Sequence, residues 1–254
     1  VEAIADLGGG VFEARIALAV ATTGPEPGQL VNMLYGNSSI HEDVTLFDSE
    51  FPDALAAGFG GPNRGIDGLR ARADAADRAM TCSALKPQGL PPEGLADIAA
   101  RLAQGGIDII KDDHGLADQG YSPFARRVAT VMAALGGTGA SYVPSVTGSL
   151  DALRRQTSIA RDEGVGVGLV TPMIVGLANF HALVREFPEM GFMTHPAMAG
   201  ASRIAPPLLL GKLFRMLGAD ATIFPNHGGR FGYSPETCKA IAEAARRPWA
   251  GLRP

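Results

Sequence analysis

Cysteine is nearly absent: the 254 residues include two, Cys82 and Cys238. They lie far apart in sequence and in no metal or redox motif, which argues against a disulfide framework and predicts a reducing, cytoplasmic setting. An excess of positive charge is missing too, with 22 Lys and Arg against 26 Asp and Glu and a net charge of -4. Without a basic footprint, neither nucleic acid nor an anionic membrane is an expected partner. No apolar run reaches the length of a membrane span, and no secretory pattern opens the sequence. No GxGxxG follows an early strand, which removes the dinucleotide-binding form of a parallel sheet. Low complexity is absent as well, because the 33 glycines and 18 prolines fall singly at the ends of elements.

What remains, 46% hydrophobic and 19% charged, is a globular α/β sequence long enough for one large or two smaller domains. Residues 1–78 read as a small α+β unit. Val11 to Val20 alternates as a strand, Pro25 to Asn37 carries a helical stripe, and Asp43 to Phe47 is a short strand. A helical turn over Pro52 to Ala57 and a charged helix over Gly65 to Ala76 follow. Residues 79–254 alternate strictly. Strands over 81–85, 107–111, 141–146, 165–171, 191–194 and 221–224 each precede a helix, at 91–102, 122–135, 149–162, 177–186, 206–217 and 234–246. Polar residues sit at the C-terminal ends of successive strands: Lys86, Lys111 to His114, Ser145 and Thr147, Thr171, His195, then Asn226 and His227. That is the layout of a (β/α)8 barrel active site, although six units are visible where a barrel has eight. Pieces are therefore expected to be missing at both ends of the chain.

The stretch Gly105 to His114 (GGIDIIKDDH) poses the chemical question. A buried strand that delivers a lysine, two aspartates and a histidine at its tip needs them paired, bound to metal or reacting. Neighbouring side chains on a strand point oppositely, so Lys111 shares a face with Asp113 and not with Asp112. A lysine in such a set is either a depressed amine acting as base or Schiff-base nucleophile, or is converted to an anion by carbamylation with carbon dioxide. The plain alternative is a buried Lys111–Asp113 ion pair without a ligand. His181, in an amphipathic helix, reads as a surface residue.

GGIDIIKDDH, together with Ala84 to Pro87 (ALKP), resembles the large chain of ribulose bisphosphate carboxylase (RuBisCO), and more closely the form IV RuBisCO-like proteins. Leu34 to Ser38 (LYGNS), Val146 to Gly148, Thr194 to Met198 (THPAM) and Ile223 to Gly232 (IFPNHGGRFG) extend the likeness over most of the chain. The resemblance implies a partial ferredoxin-like α+β domain at 1–78 before a partial (β/α)8 barrel at 79–254, in a homodimer or higher oligomer whose active site is shared between subunits. It implies Mg2+ held by a carbamylated Lys111, by Asp113, and by His114, which stands where carboxylases carry a glutamate. It makes Lys86, Lys111 and His195 catalytic, and gives substrate contacts to Thr147, Asn226, His227, Arg230 and an Asn37 contributed by the partner subunit.

The departures matter. Gln88 replaces a second lysine, Pro196 replaces a phosphate-gripping arginine and His114 replaces the glutamate, so fixation of carbon dioxide on ribulose bisphosphate is not expected. The expected reaction is enediolate formation on a phosphorylated keto sugar or keto acid, with loss of carbon dioxide from an oxo-isoapionate phosphate. The alternatives are a methionine-salvage enolase or isomerase, a Schiff-base aldolase using Lys86 or Lys111, and a non-catalytic homologue.

Overall fold

A computed structural model describes residues 1–254. The chain opens as an antiparallel hairpin of β1 (Ala3–Gly8) and β2 (Val11–Arg15), every residue of which is exposed. Gly8, Gly9 and Gly10 all have positive φ and make the turn. The strand expected over 11–20 therefore stops at Arg15 and pairs backwards. Helix α1 (Pro27–Tyr35) starts where Glu26 caps it, its carboxylate accepting from the amides of Gly28 and Gln29. Helices α2 (Asp53–Gly58) and α3 (Gly65–Arg72) follow as expected. The strand expected over Asp43 to Phe47 does not form. No second strand lies alongside it, and Leu46 makes a single bridge to Ile204.

Six parallel strands come next: β3 (Cys82–Leu85), β4 (Ile109–Asp112), β5 (Ser141–Val143), β6 (Val167–Val170), β7 (Gly191–Thr194) and β8 (Ala221–Thr222). They pair as β3-β4-β5 and β6-β7-β8, and a parallel bridge from Ser145 to Leu169 joins the two sets. Spatial order equals sequence order, so the chain winds in one direction and never reverses as a doubly wound sheet does. Between the strands run α4 (Pro92–Gln104), α5 (Phe124–Ala134), α6 (Leu150–Asp162), the short α7 (Pro172–Val175) with α8 (Leu177–Glu186), and finally α10 (Pro235–Arg246). The helix expected over 206–217 begins as a π-helix, Pro207–Leu213, before α9 (Phe214–Met216). His181, expected at the surface, is half-buried: its Nε2 lies 3.0 Å from the Phe59 carbonyl and its ring stands edge-on to Phe59.

The buried apolar residues separate by strand parity. Ile110, Tyr142, Val170 and Phe192 join the helix residues Leu95, Phe124, Val128, Leu153, Phe180 and Leu183 in one large core, which also takes in Leu30, Leu55 and Phe59. Ile109, Val143, Val167, Leu169 and Met193 form a second cluster on the opposite face. Burial on both faces explains why these strands are continuous apolar runs. At the N-terminal edge of the sheet, buried Asp220 accepts from the amides of Arg64 (2.6 Å), Gly65 (2.7 Å) and Phe192 (2.6 Å). Asp108 there takes a forked pair from Arg78 at 2.5 and 2.7 Å and accepts from the Thr81 amide.

The Arg78 hydrogen bonds, followed by the Thr81 amide, hold the Asp108 carboxyl well below its ordinary range. A carboxyl depressed on folding stabilises above its unfolded pKa, and that stability is lost as pH falls through the folded value. Asp108→Asn should therefore lower the melting temperature at pH 7, and the gap to wild type should narrow as pH drops below about 4. Thermal unfolding monitored by circular dichroism across pH checks this, and a constant gap would refute it.

Candidate active site

The strand registers bring the site together. Ala84 pairs with Lys111, Lys111 with Val143, Ser145 with Leu169, and Leu169 with Met193. Counting on by two along each strand puts Lys86, Asp113, Thr147, Thr171 and His195 on the same face, just past the inner apolar cluster. Lys86 Nζ lies 3.4 Å from Asp113 Oδ2, and His114 Nδ1 lies 3.0 Å from Asp113 Oδ1. The rings of His114 and His195 stack in parallel, with centroids 4.1 Å apart and planes 8° apart. Lys111 Nζ donates to the Asp112 carbonyl at 3.1 Å.

Burial lowers the Lys111 pKa, with nearby Cys82 and Asp113 opposing the shift. Burial pushes Asp113 up, but the charges and hydrogen bond of Lys86 and the charge of His114 leave it below its ordinary value. Burial, then the charges of His114 and Lys111, bring His195 down to about 4. His195 is thus neutral near pH 7. Its Nδ1 accepts from the Ala197 amide at 3.2 Å, which puts the ring proton on Nε2.

Asp112 points the other way and is fully buried. It accepts from Arg127 Nε at 3.1 Å, from the Tyr142 hydroxyl at 2.7 Å and from the Ser145 amide at 3.0 Å. Arg127 is itself fully buried, and its remaining donors reach the carbonyls of Ser122 (2.7 Å) and Ala117 (2.8 Å). Sequence reasoning missed this network. The signal was present, because Arg127 falls in the apolar stripe of Phe124, Val128 and Val131 and so had to face the core. Gln88 lies against Gly115, where a Cβ would come within 2.0 Å of its Nε2.

The other expected site residues stand apart. Thr147 is partly buried, its amide and carbonyl both held by Gln156. Asn226, His227 and Arg230 are exposed on the loop between β8 and α10, with Arg230 over the Phe231 ring. Asn37 is exposed beside the turn Ser38–Ile40, where Arg203 reaches the Ser39 carbonyl. No hydrogen bond or ion pair joins these five to the cluster around Asp113. A cavity of about 630 Å³ lies elsewhere, between Phe47, Lys212 and α10. It holds an already paired Lys212–Asp48 contact of 2.6 Å rather than a convergent set of reactive groups.

No three His, Cys, Asp or Glu side chains converge to hold a metal. A magnesium site here therefore needs an oxygen from Lys111. The lowered Lys111 pKa favours the free amine that adds carbon dioxide, and a carbamate beside Asp113 would offer two anionic oxygen ligands. Magnesium keeps several waters and takes one or two carboxylates, so this donor set fits.

The signature of the ribulose bisphosphate carboxylase large chain, catalytic domain, matches residues 65–230. The chain belongs to this family. It is 60% identical over 260 residues to ribulose bisphosphate carboxylase-like protein 1 of Rhodopseudomonas palustris, covering 100% of this chain and 71% of that one. It is 59% identical over 259 residues to 5-methylthioribulose-1-phosphate isomerase of Rhodospirillum rubrum, covering 99% of this chain and 69% of that enzyme. A 2,3-diketo-5-methylthiopentyl-1-phosphate enolase of Geobacillus kaustophilus is 34% identical, covering 91% of this chain and 59% of the enolase. The crystal structure of a Rubisco-like protein from Rhodopseudomonas palustris superposes with a TM-score of 0.97 at 55% identity, over 100% of this chain and 74% of that one.

These relatives place the chain among the RuBisCO-like proteins and overturn one expectation. Decarboxylation of an oxo-isoapionate phosphate rested on a single residue, His114. Similarity along nearly the whole chain runs instead to proteins named for an isomerase and an enolase acting on methylthio sugar phosphates.

The buried network carries a stability prediction. Asp112→Ala leaves the Arg127 guanidinium buried without its carboxylate, at a cost of about 3–5 kcal/mol. Replacing both partners, Asp112→Leu with Arg127→Met, should recover much of that loss. Urea unfolding of the three proteins checks both statements.

Proposed function

We propose that the chain carries the catalytic part of an isomerase acting on 5-methylthioribulose 1-phosphate or a close analogue. The observation that carries this reading is the convergence of Lys86, Lys111, Asp113 and His195 at the strand ends. The 59% identity to the Rhodospirillum rubrum isomerase supports the choice of substrate. We also propose that residues 79–254 contribute six units of a (β/α)8 barrel and residues 1–78 a partial ferredoxin-like domain. Asn37 would then serve the site of a second subunit, while Thr147, Asn226, His227 and Arg230 close over the substrate.

Carbamylated Lys111 and Asp113 would hold magnesium, which when bound polarises the substrate's adjacent carbonyl and hydroxyl oxygens. Lys86 takes a proton from the carbon next to the ketone and leaves an enediolate. Neutral His195 donates its Nε2 proton as a hydrogen bond to the oxygen on which charge develops. Lys86 then returns the proton to the former carbonyl carbon while the proton of the adjacent hydroxyl passes to the former carbonyl oxygen, and the carbonyl has moved one position along the chain. Atoms and charge balance without oxidant or cosubstrate, and no carbon dioxide leaves.

The test is incubation of the protein with Mg2+, bicarbonate and 5-methylthioribulose 1-phosphate in deuterium oxide, followed by 13C and 1H NMR. The expected result is a displaced carbonyl carrying deuterium at the reprotonated carbon. Turnover of 2,3-diketo-5-methylthiopentyl 1-phosphate in its place would overturn the isomerase reading in favour of the enolase. Lys86→Met should lower kcat by about 10²- to 10⁴-fold, the usual share of a general base. Borohydride trapping of substrate on Lys86 or Lys111 would point to Schiff-base chemistry instead.

A further inference from the structure

The row of facing residues between β3 and β4 continues past the end of the sheet. Ala84 lies opposite Lys111 in the strand pair, and two residues on Lys86 Nζ reaches Asp113 Oδ2 at 3.4 Å. Two further on, Gln88 lies against Gly115. A methyl group on Gly115 would collide with Gln88 Nε2 and lie 3.1 Å from Cδ and 3.5 Å from Oε1. Ala84, Lys86 and Gln88 thus meet Lys111, Asp113 and Gly115 in turn, and Gln88 is the outermost of its set. The φ of Gly115 lies outside the left-handed region, so backbone conformation does not require glycine there. What its missing side chain supplies is room for the carboxamide. Gly115 is itself held: its carbonyl accepts from Gln119 Nε2 at 2.8 Å, and Gln119 Oε1 accepts from the Ala117 amide at 2.7 Å. Gln88 is exposed, and no hydrogen bond engages either end of its carboxamide.

We propose that Gln88 is a substrate-binding residue whose carboxamide holds one of the two substrate oxygens that exchange roles in the reaction, which rests on the isomerase function proposed above. Moving a carbonyl along the chain turns one hydroxyl into a carbonyl and one carbonyl into a hydroxyl. A protein group bonded to such an oxygen meets an O–H that needs an acceptor on one side of the reaction. On the other side it meets a carbonyl that needs a donor. An ammonium can donate to both forms but offers the hydroxyl proton no acceptor, and a carboxylate accepts but never donates. A carboxamide carries both, Oε1 for the hydroxyl and Nε2 for the carbonyl, and rotation about its last bond exchanges them. It also adds no charge to a face that already holds Lys86, Lys111 and Asp113. A lysine at this place would be a donor only, so glutamine suits a reaction that must serve both forms of one oxygen.

Gly115→Ala moves Gln88 without altering it, because the atoms nearest the added methyl all belong to the end of that flexible side chain. Gln88→Ala deletes the carboxamide, Gln88→Lys leaves a donor alone, and Gln88→Ala combined with Gly115→Ala closes a double-mutant cycle. The readouts are kcat/KM on 5-methylthioribulose 1-phosphate with Mg2+ and bicarbonate, and the melting temperature. Gln88→Ala and Gly115→Ala should each lower kcat/KM by about 10-fold, the worth of one neutral hydrogen bond, and leave the melting temperature unchanged. The double variant should be no worse than either single one, because both remove the same contact. Gln88→Lys should fall short of wild type. In 15N–1H spectra the Gln88 side-chain amide, identified by its loss from Gln88→Ala, should shift when the sugar phosphate is added. Wild-type kcat/KM in Gln88→Ala or Gln88→Lys, additive losses in the double variant, or an unmoved Gln88 signal would each overturn the proposal. Binding without isomerisation would instead sink the isomerase reading, and the Gln88 signal would then decide alone whether the carboxamide touches the ligand. A wild type that does not bind the sugar phosphate overturns both.

Discussion

The alternation of side chains along β4 is the constraint on which the site depends. Three consecutive ionisable residues leave the sheet there, and an extended backbone must send the middle one away from its neighbours. Asp112 enters the layer between strands and helices, where an isolated carboxylate would be costly. It is tolerated because Arg127, Tyr142 and the Ser145 amide satisfy it, and because Arg127 is in turn locked by two carbonyls. The Ser145 amide belongs to the end of the neighbouring strand, so the same carboxylate fixes the β4 tip against β5. Lys111 and Asp113 inherit their direction from that anchor.

On the inner face the charges are deliberately unbalanced. Two lysines and a carboxylate lie together, and the carboxylate is already shared between Lys86 and His114. Such a pocket attracts anions, which suits a phosphorylated ketone on its way to an enediolate. Burial acts on the cations in the same sense. It lowers Lys111 toward the free amine and keeps His195 neutral. The apolar layer of Ile109, Val143, Leu169 and Met193 beneath them is what makes burial effective.

The elements that the sequence made legible are those whose partners adjoin them in sequence. Strand β4 and helices α4, α5, α6 and α10 carry their own periodicity, α6 and α10 also a serine cap, and their bounds were close. The strand expected over 43–47 failed for the converse reason. Its apolar alternation was real, but a strand exists only where a second one runs beside it, and Leu46 finds a single bridge. The π-turn at Pro207–Leu213 is likewise invisible to a pattern with a 3.6-residue period. Parity alone predicted that Lys111 and Asp113 share a face. It could not predict the His114–His195 stack, which joins residues 81 positions apart through the register of strands that pair late in the chain.

Those two kinds of legibility explain why the site was easier to read than the reaction. Lys86, Lys111 and Asp113 are placed by strand register, Ala84 lying opposite Lys111, so parity along β3 and β4 brings them to one face. The outcome of an enediolate, whether reprotonation or loss of carbon dioxide, depends on the groups that surround it. Loops such as the one carrying Asn226, His227 and Arg230 are exposed, and no local pattern constrains them. A single substitution such as His114 is therefore a poor guide to chemistry when taken alone. It touches Asp113, its neighbour in sequence, and the ring of His195, and the second contact exists only once both strands are in place.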